Sequence, residues 1–295
     1  MPLTRRQLLG RWLKKPPKWS IGIYAGPSPV DLRSPSSIVN PVFTAEQVKD
    51  VAATFVADPF MLKRDSIWYL FFEVLNSHTN QGLIAFAKSE DTRSWVYGGV
   101  VLREPFHLSY PCIFEAGGDF YLVPESHQAT SVRLYKALDF PTRWVFVKTL
   151  LDGEHYIDPS VFRYGEYWWM FTGNLKNDTL SLHYSSRLEG PWIEHPANPI
   201  VRGDPHIARP GGRVLADGHR IIRYAQDDYP RYGHQVWAFQ IADLSTTRYE
   251  ERRIGERPVV KASGAGWNQD SMHHVDAHQI GENNWIACVD GEGKY

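Results

Sequence analysis

The stretch Ala57-Asp-Pro-Phe-Met-Leu-Lys-Arg-Asp-Ser-Ile-Trp-Tyr-Leu-Phe-Phe-Glu-Val74 sets the pattern that the rest of the chain repeats. Two aromatic, apolar arms flank a polar turn at Asp65-Ser66, which predicts a β-hairpin. With the turn centred there, Asp58 falls opposite Glu73 at the open end. Two acids so placed raise one pKa or call for a cationic or sugar partner.

The same phrase returns four times. Tyr110-Pro-Cys-Ile-Phe-Glu, Gly117-Gly118 and Phe120-Tyr-Leu-Val-Pro-Glu125 form a second hairpin, with Tyr110 expected opposite Glu125. Ile157-Asp-Pro-Ser-Val-Phe with Tyr167-Trp-Trp-Met-Phe-Thr172 forms a third, and Ala208-Arg-Pro-Gly-Gly-Arg with Arg220-Ile-Ile-Arg-Tyr224 a fourth. His274-Val-Asp-Ala-His-Gln-Ile and Trp285-Ile-Ala-Cys-Val-Asp290 form the last. Pro59, Pro111, Pro159 and Pro210 follow the leading polar residue at intervals of 52, 48 and 51 residues, and the final interval is longer, as an insertion requires. A third strand and then an aromatic opening a fourth (Trp95, Trp144, Trp192, Tyr249) recur in phase. Repeats of about fifty residues built only from strands predict an all-β, five-bladed β-propeller with four-stranded blades.

Five such blades use nearly all of the 295 residues, so one domain is expected over residues 18–295, after a basic lead over 1–17. Trp19–Ala25 alternates and ends in Gly-Pro, and is expected to give an outer strand to the last blade, closing the ring. Net charge is −1, with no basic run after the lead, which argues against nucleic acid. No stretch is apolar enough to span a membrane, and Thr4-Arg-Arg-Gln-Leu-Leu lacks the apolar run of a twin-arginine signal. A short basic helix is expected there instead. Cys112 and Cys288 fall in different blades, and buried free thiols with a cytoplasmic location are expected.

Inner strands of a propeller begin on one face, so Asp58, Tyr110, Asp158, Arg209 and Asp276 are expected to line one mouth of the central channel. Each Asp-Pro alone is more often a turn-starter. Polar residues at one phase in all five repeats are harder to dismiss. Gln226 and Asp227 extend the same rim, and Glu73 is a candidate to bind a sugar hydroxyl or an arginine. Arg209 and Arg213 have the fork that suits a carboxylate or phosphate, with an internal ion pair as the competing role. His274, Asp276 and His278 share a strand face, but the outer two lie roughly 13 Å apart, too far to ligate one ion. They are read as polar channel lining, with no cofactor assigned and a channel cation as the lesser alternative.

Ala57-Asp-Pro-Phe-Met, Tyr156-Ile-Asp-Pro-Ser-Val-Phe and Lys88-Ser-Glu-Asp with Trp95 resemble the five-bladed glycosidases of family 43. Phe55-Val-Ala-Asp-Pro-Phe, His107-Leu-Ser-Tyr-Pro, Arg133-Leu-Tyr-Lys-Ala, Ala208-Arg-Pro-Gly-Gly-Arg, Gly266-Trp-Asn and His273-His-Val-Asp give a closer resemblance, over nearly the whole chain. It is to the N-terminal domain of plant glucosamine inositolphosphorylceramide transferases, whose bacterial relatives include fusions to formyltransferases.

The family 43 resemblance implies Asp58 as general base and Asp158 as the acid that tunes and orients a neighbour. It also implies a Glu proton donor in the fourth blade, where this chain has Arg209. If the donor has moved, Glu125 is the first candidate, with a pKa expected to rise beside a neutral Tyr and apolar neighbours. Two readings stay open. One is an inverting glycoside hydrolase-like enzyme, toward which the clustered acids weigh. The other is a non-catalytic glycan or glycolipid recognition module serving a glycosyltransferase or formyltransferase.

Overall fold

The computed structural model describes residues 18–218 and 220–294; the basic lead and its expected helix lie outside them. Five antiparallel sheets form a ring. Blade 1 comprises Ala53–Arg64, Ile67–Asn76, Gln81–Ser89 and Val96–Leu102. Blade 2 comprises Ser109–Ala116, Asp119–Glu125, Ser131–Asp139 and Arg143–Asp152. Blade 3 runs Ile157–Tyr164, Tyr167–Gly173 and Thr179–Ser185, and its outer edge is split between Ile193–Glu194 and Val201–Arg202. Blade 4 begins with the short pieces Arg209–Pro210 and Leu215–Ala216, continues through Ile221–Asp227 and Gln235–Leu244, and ends at Tyr249–Arg253 and Val260–Lys261.

Blade 5 joins the two ends of the chain. Its inner strands are Val275–Gly281 and Asn284–Gly293, and Lys18–Ser28 adds the third, paired from Lys18 opposite Gly293 to Gly26 opposite Trp285. Asp31–Arg33 completes it. The expected closing strand is therefore present. The long interval before blade 5 carries a short 3₁₀ turn, Gly266–Asn268, whose Trp267 packs beneath the closing strand. A Cβ at Gly22 would stand 2.5 Å from that ring, so only glycine fits there.

Aromatic and aliphatic wedges fill the spaces between blades. Phe60, Phe71, Leu122, Tyr135 and Trp144 serve blades 1 and 2, and Trp169, Phe171, Val214 and Ile241 serve blades 3 and 4. The recurring tryptophans also pin their own turns. Trp95, Trp144 and Trp192 donate their indole N–H to Thr92, Pro141 and Leu188 carbonyls at 3.1, 2.8 and 3.0 Å. Trp95 and Trp144 bury a large ring, and Trp192 part of one, while the one polar atom stays bonded.

The hairpin register departs from expectation by one residue at the channel end. Phe60 pairs with Phe71, as the turn position predicts, but Ala57 rather than Asp58 faces Glu73. Likewise Ser109 rather than Tyr110 faces Glu125, and Ile157 faces Gly173. The cause is a β-bulge at the same place in all three blades, holding the polar residue and its proline outside the ladder. Proline has no N–H to lose, so it suits a bulge. Asp58, Tyr110 and Asp158 take left-handed φ values of 52°, 45° and 48°. That backbone costs each about 1 kcal/mol, which the surrounding contacts offset.

Phe71 is fully buried against Phe86, Phe140 and Trp144. Phe71→Ala is expected to cost roughly 3–5 kcal/mol, read as a lower denaturant midpoint at unchanged slope.

Candidate functional site

The bulges aim their side chains across blade junctions. Asp290, from blade 5, accepts the Asp58 N–H on Oδ2 at 3.0 Å. Asp58 Oδ2 in turn accepts the Tyr110 N–H at 3.2 Å, and Glu125 Oε2 accepts the Asp158 N–H at 3.0 Å. Asp158 Oδ2 accepts from Arg209 Nε at 2.7 Å and Gln226 Nε2 at 2.9 Å. At the last junction the Val275 N–H donates to the Gly211 carbonyl at 2.9 Å. Asp58, Asp158, Glu125, Glu73, Arg209 and Gln226 thus meet at one mouth, as the repeat phase predicts.

Cations balance these acids. His273 bonds Asp290 Oδ1 through Nδ1 at 2.8 Å and turns Nε2 to Asp58 Oδ1 at 3.7 Å. Its ring stacks on Trp19 with centroids 4.0 Å apart. Burial opposes its charge, but Asp290 and then Asp58 outweigh it, and the pKa rises to about 9. Burial lifts Asp58 itself to about 7, with His273 pulling the other way. His107 Nε2 lies 3.2 Å from Glu73, and Arg209 Nη1 donates to Asn177 at 3.1 Å while its guanidinium lies over the Tyr232 ring. Ligand atoms of Asp58, His273 and Asp290 lie within 4.8 Å of one another, so this set suits either an imidazolium proton or a cation.

Glu125 reverses its expectation. Burial would raise its pKa, but the 2.8 Å bond from His127, the Arg209 charge and Asp158 lower it to about 2. These contacts favour its carboxylate form, opposite to the raised pKa expected of a proton donor. Burial pushes Asp158 well above the carboxylate range against the pull of Arg209. Its Oδ1 meets no donor among the described residues.

Two other rim expectations need correction, those for Tyr110 and Asp276. Tyr110 is no rim residue: it is fully buried, and its hydroxyl spans the channel to Ser160 Oγ at 2.8 Å and to the Gly212 carbonyl and N–H at 2.9 and 2.7 Å. Asp276 and Arg213 form an ion pair deeper in the channel, at 2.5 Å, on the level of Met61 and Ile113, whose carbonyls Arg213 also binds. His278 joins that pair at 3.1 Å. His274 packs against Phe60 and Tyr110, buried within the channel. The fifth blade has no bulge at Asp276, so that residue sits further along its strand. Asp227 is near the mouth but engaged, accepting from Gln235 and Trp237 at 2.8 and 3.1 Å and bonded to His206 at 2.8 Å. Cys112 and Cys288 are buried and free, as expected.

Sequence reading missed His273, Asp290, His107 and His127 as site residues. A signal existed. Asp290 stands in its second strand at the phase of Glu73 and Glu125, and His107, His155 and His206 each stand three residues before the lead residue of their blade.

In fold, the chain is a five-bladed propeller of the kind seen in glycoside hydrolases. A putative glycoside hydrolase from Parabacteroides distasonis superposes with a TM-score of 0.64 at 11% identity, covering 87% of this chain and 95% of that one. The catalytic domain of the Coprinopsis cinerea GH62 α-L-arabinofuranosidase gives 0.60 at 14%, covering 94% and 97%. The family described as glucosamine inositolphosphorylceramide transferase 1, N-terminal, matches residues 14–292, and the chain belongs to it. Glucosamine inositolphosphorylceramide transferase 1 of Oryza sativa subsp. indica is 35% identical over 298 residues, covering 93% of this chain and 40% of its own length. The Arabidopsis thaliana protein of that name is 33% identical, covering 93% and 39%. The chain thus spans about two-fifths of these relatives. Among the described residues no helix is long and apolar enough to cross a membrane.

Two outcomes follow from the charges. His273 is held protonated, with a pKa of about 9 against 6.5, so its stabilising contribution is full below pH 6.5 and is lost as pH rises to 9. In chelator-treated protein the urea midpoint is expected to fall over that interval, and the fall to shrink in His273→Gln. Arg209→Met leaves the Asp158/Glu125 pair without its cation and is expected to cost about 3–5 kcal/mol by denaturation, less in an Asp158→Asn background.

Proposed function

We propose that this chain is a non-catalytic glycan-recognition propeller that holds the sugar-bearing headgroup of a glycolipid for a glycosyltransferase. The observation that carries this reading is the Arg209–Asp158 bond of 2.7 Å. It puts a permanent cation where the resemblance to family 43 implies a Glu proton donor. Inverting hydrolysis needs one protonated carboxyl and one carboxylate facing each other across a water. Here Glu125 is held ionised by His127, and Asp158 is occupied by Arg209, Gln226 and Glu125.

A guanidinium at the mouth suits the phosphate of an inositolphosphoryl headgroup, the group in the relatives' name. Family membership also supports a transferase as the working partner. A second reading, hydrolysis, is favoured by Asp58, whose pKa near 7 is that of a working general base.

A panel of aryl glycosides and of vesicles carrying inositolphosphoceramide glycans separates the two. Saturable vesicle binding without sugar release, persisting in Asp58→Asn, is the expected result. Sugar release that vanishes in Asp58→Asn would overturn it.

A further inference from the structure

The loop from Asp228 to Gly233 in blade 4 overhangs the mouth and carries two tyrosines to solvent. Tyr229 is 58% exposed and Tyr232 43% exposed. Exposed rings are commonplace on loose loops, but this loop is tied on both sides. Asp228 Oδ1 accepts the Gly233 N–H at 2.8 Å, and Asp227 Oδ1 accepts the Tyr229 N–H at 3.3 Å. Met272 N–H donates to the Gly233 carbonyl at 3.0 Å, and His234 N–H donates to the Asp227 carbonyl at 3.0 Å. Gly233 takes a φ of 66°, and a Cβ there would press on Trp19 at 3.0 Å, so the loop lies flat on the blade 5 strand.

Tyr232 then stands among the charged groups of the mouth. Its ring lies 5.1 Å from the Arg209 guanidinium and meets His273 and Trp19 edge-on, with centroids 5.2 and 6.2 Å apart. Tyr229 meets His206 at 5.2 Å. A rigid, half-exposed ring beside a fixed cation offers an apolar face next to a polar anchor. Its ordering has been completed before any ligand arrives, which favours binding.

We infer that Tyr232 is the stacking platform of the mouth. It takes the C–H face of a pyranose ring whose anionic substituent points to Arg209. The inference rests on the recognition role proposed above and adds the residue that selects the ligand. A flat ring accepts a pyranose with several axial hydrogens on one face and disfavours a free inorganic anion, which has no such face.

Titration with a glucosaminyl-inositol phosphate and, separately, with inorganic phosphate tests it, followed by calorimetry. Wild type is expected to bind the sugar phosphate more tightly than phosphate. Tyr232→Ala is expected to weaken the sugar phosphate by at least about tenfold and phosphate by less than about twofold. Tyr232→Phe and Tyr232→Trp, which keep the ring, are expected to retain most of the affinity, showing that the loop still folds. Sugar-phosphate binding unchanged in Tyr232→Ala would overturn the platform and leave the recognition role standing. No binding of either probe by wild type would overturn both.

Discussion

Carboxylates that accept a backbone N–H from the next blade hold this ring together at its mouth. Asp290 takes the amide of Asp58, Asp58 that of Tyr110, and Glu125 that of Asp158. Each donor belongs to a bulged residue whose N–H has left the sheet ladder, and a buried amide without a partner is costly. The bulge and the acid therefore require one another. The acids consequently serve the architecture before they serve any ligand. Their charge is balanced locally, by His273 for Asp58 and Asp290 and by Arg209 for the Asp158/Glu125 pair.

Asp58 and Asp158 each serve a blade junction, Asp58 by taking the Tyr110 amide and Asp158 by bonding Arg209 and Gln226. Arg209 fits that arrangement well, since it bonds Asp158 and Asn177 at once. The cost of burying acids in one place is offset in part by an arginine bonded to one of them.

Much of this was legible in the residues. The spacing of Pro59, Pro111, Pro159 and Pro210 gave the number of blades, and Trp19–Ala25 gave the closing strand, because alternation and repeat length depend on local sequence. The meeting of Asp58, Asp158 and Arg209 followed from phase alone. The one-residue register error arose because counting from Asp65-Ser66 assumes an unbroken ladder, and a bulge adds a residue that alternation does not show. Asp276 was misplaced for the same reason, since blade 5 lacks the bulge. Glu125 was misjudged because its partner His127 lies in the turn just beyond its strand, outside the hairpin considered. Charge balance depends on neighbours brought in by folding, and single-strand patterns do not contain them.

The pairing of Lys18–Ser28 with Asn284–Gly293 has a bearing on how the molecule is made. Blade 5 is assembled from segments some 270 residues apart, so residues through Gly293 must leave the ribosome before the circle can be completed. Until then, the exposed flank of Lys18–Ser28 is an open β edge, vulnerable to pairing with another nascent copy. Once latched, polypeptide entering at Lys18 and leaving at Gly293 shares a single point of departure, so any appended module would be tethered to that one flank of the disc.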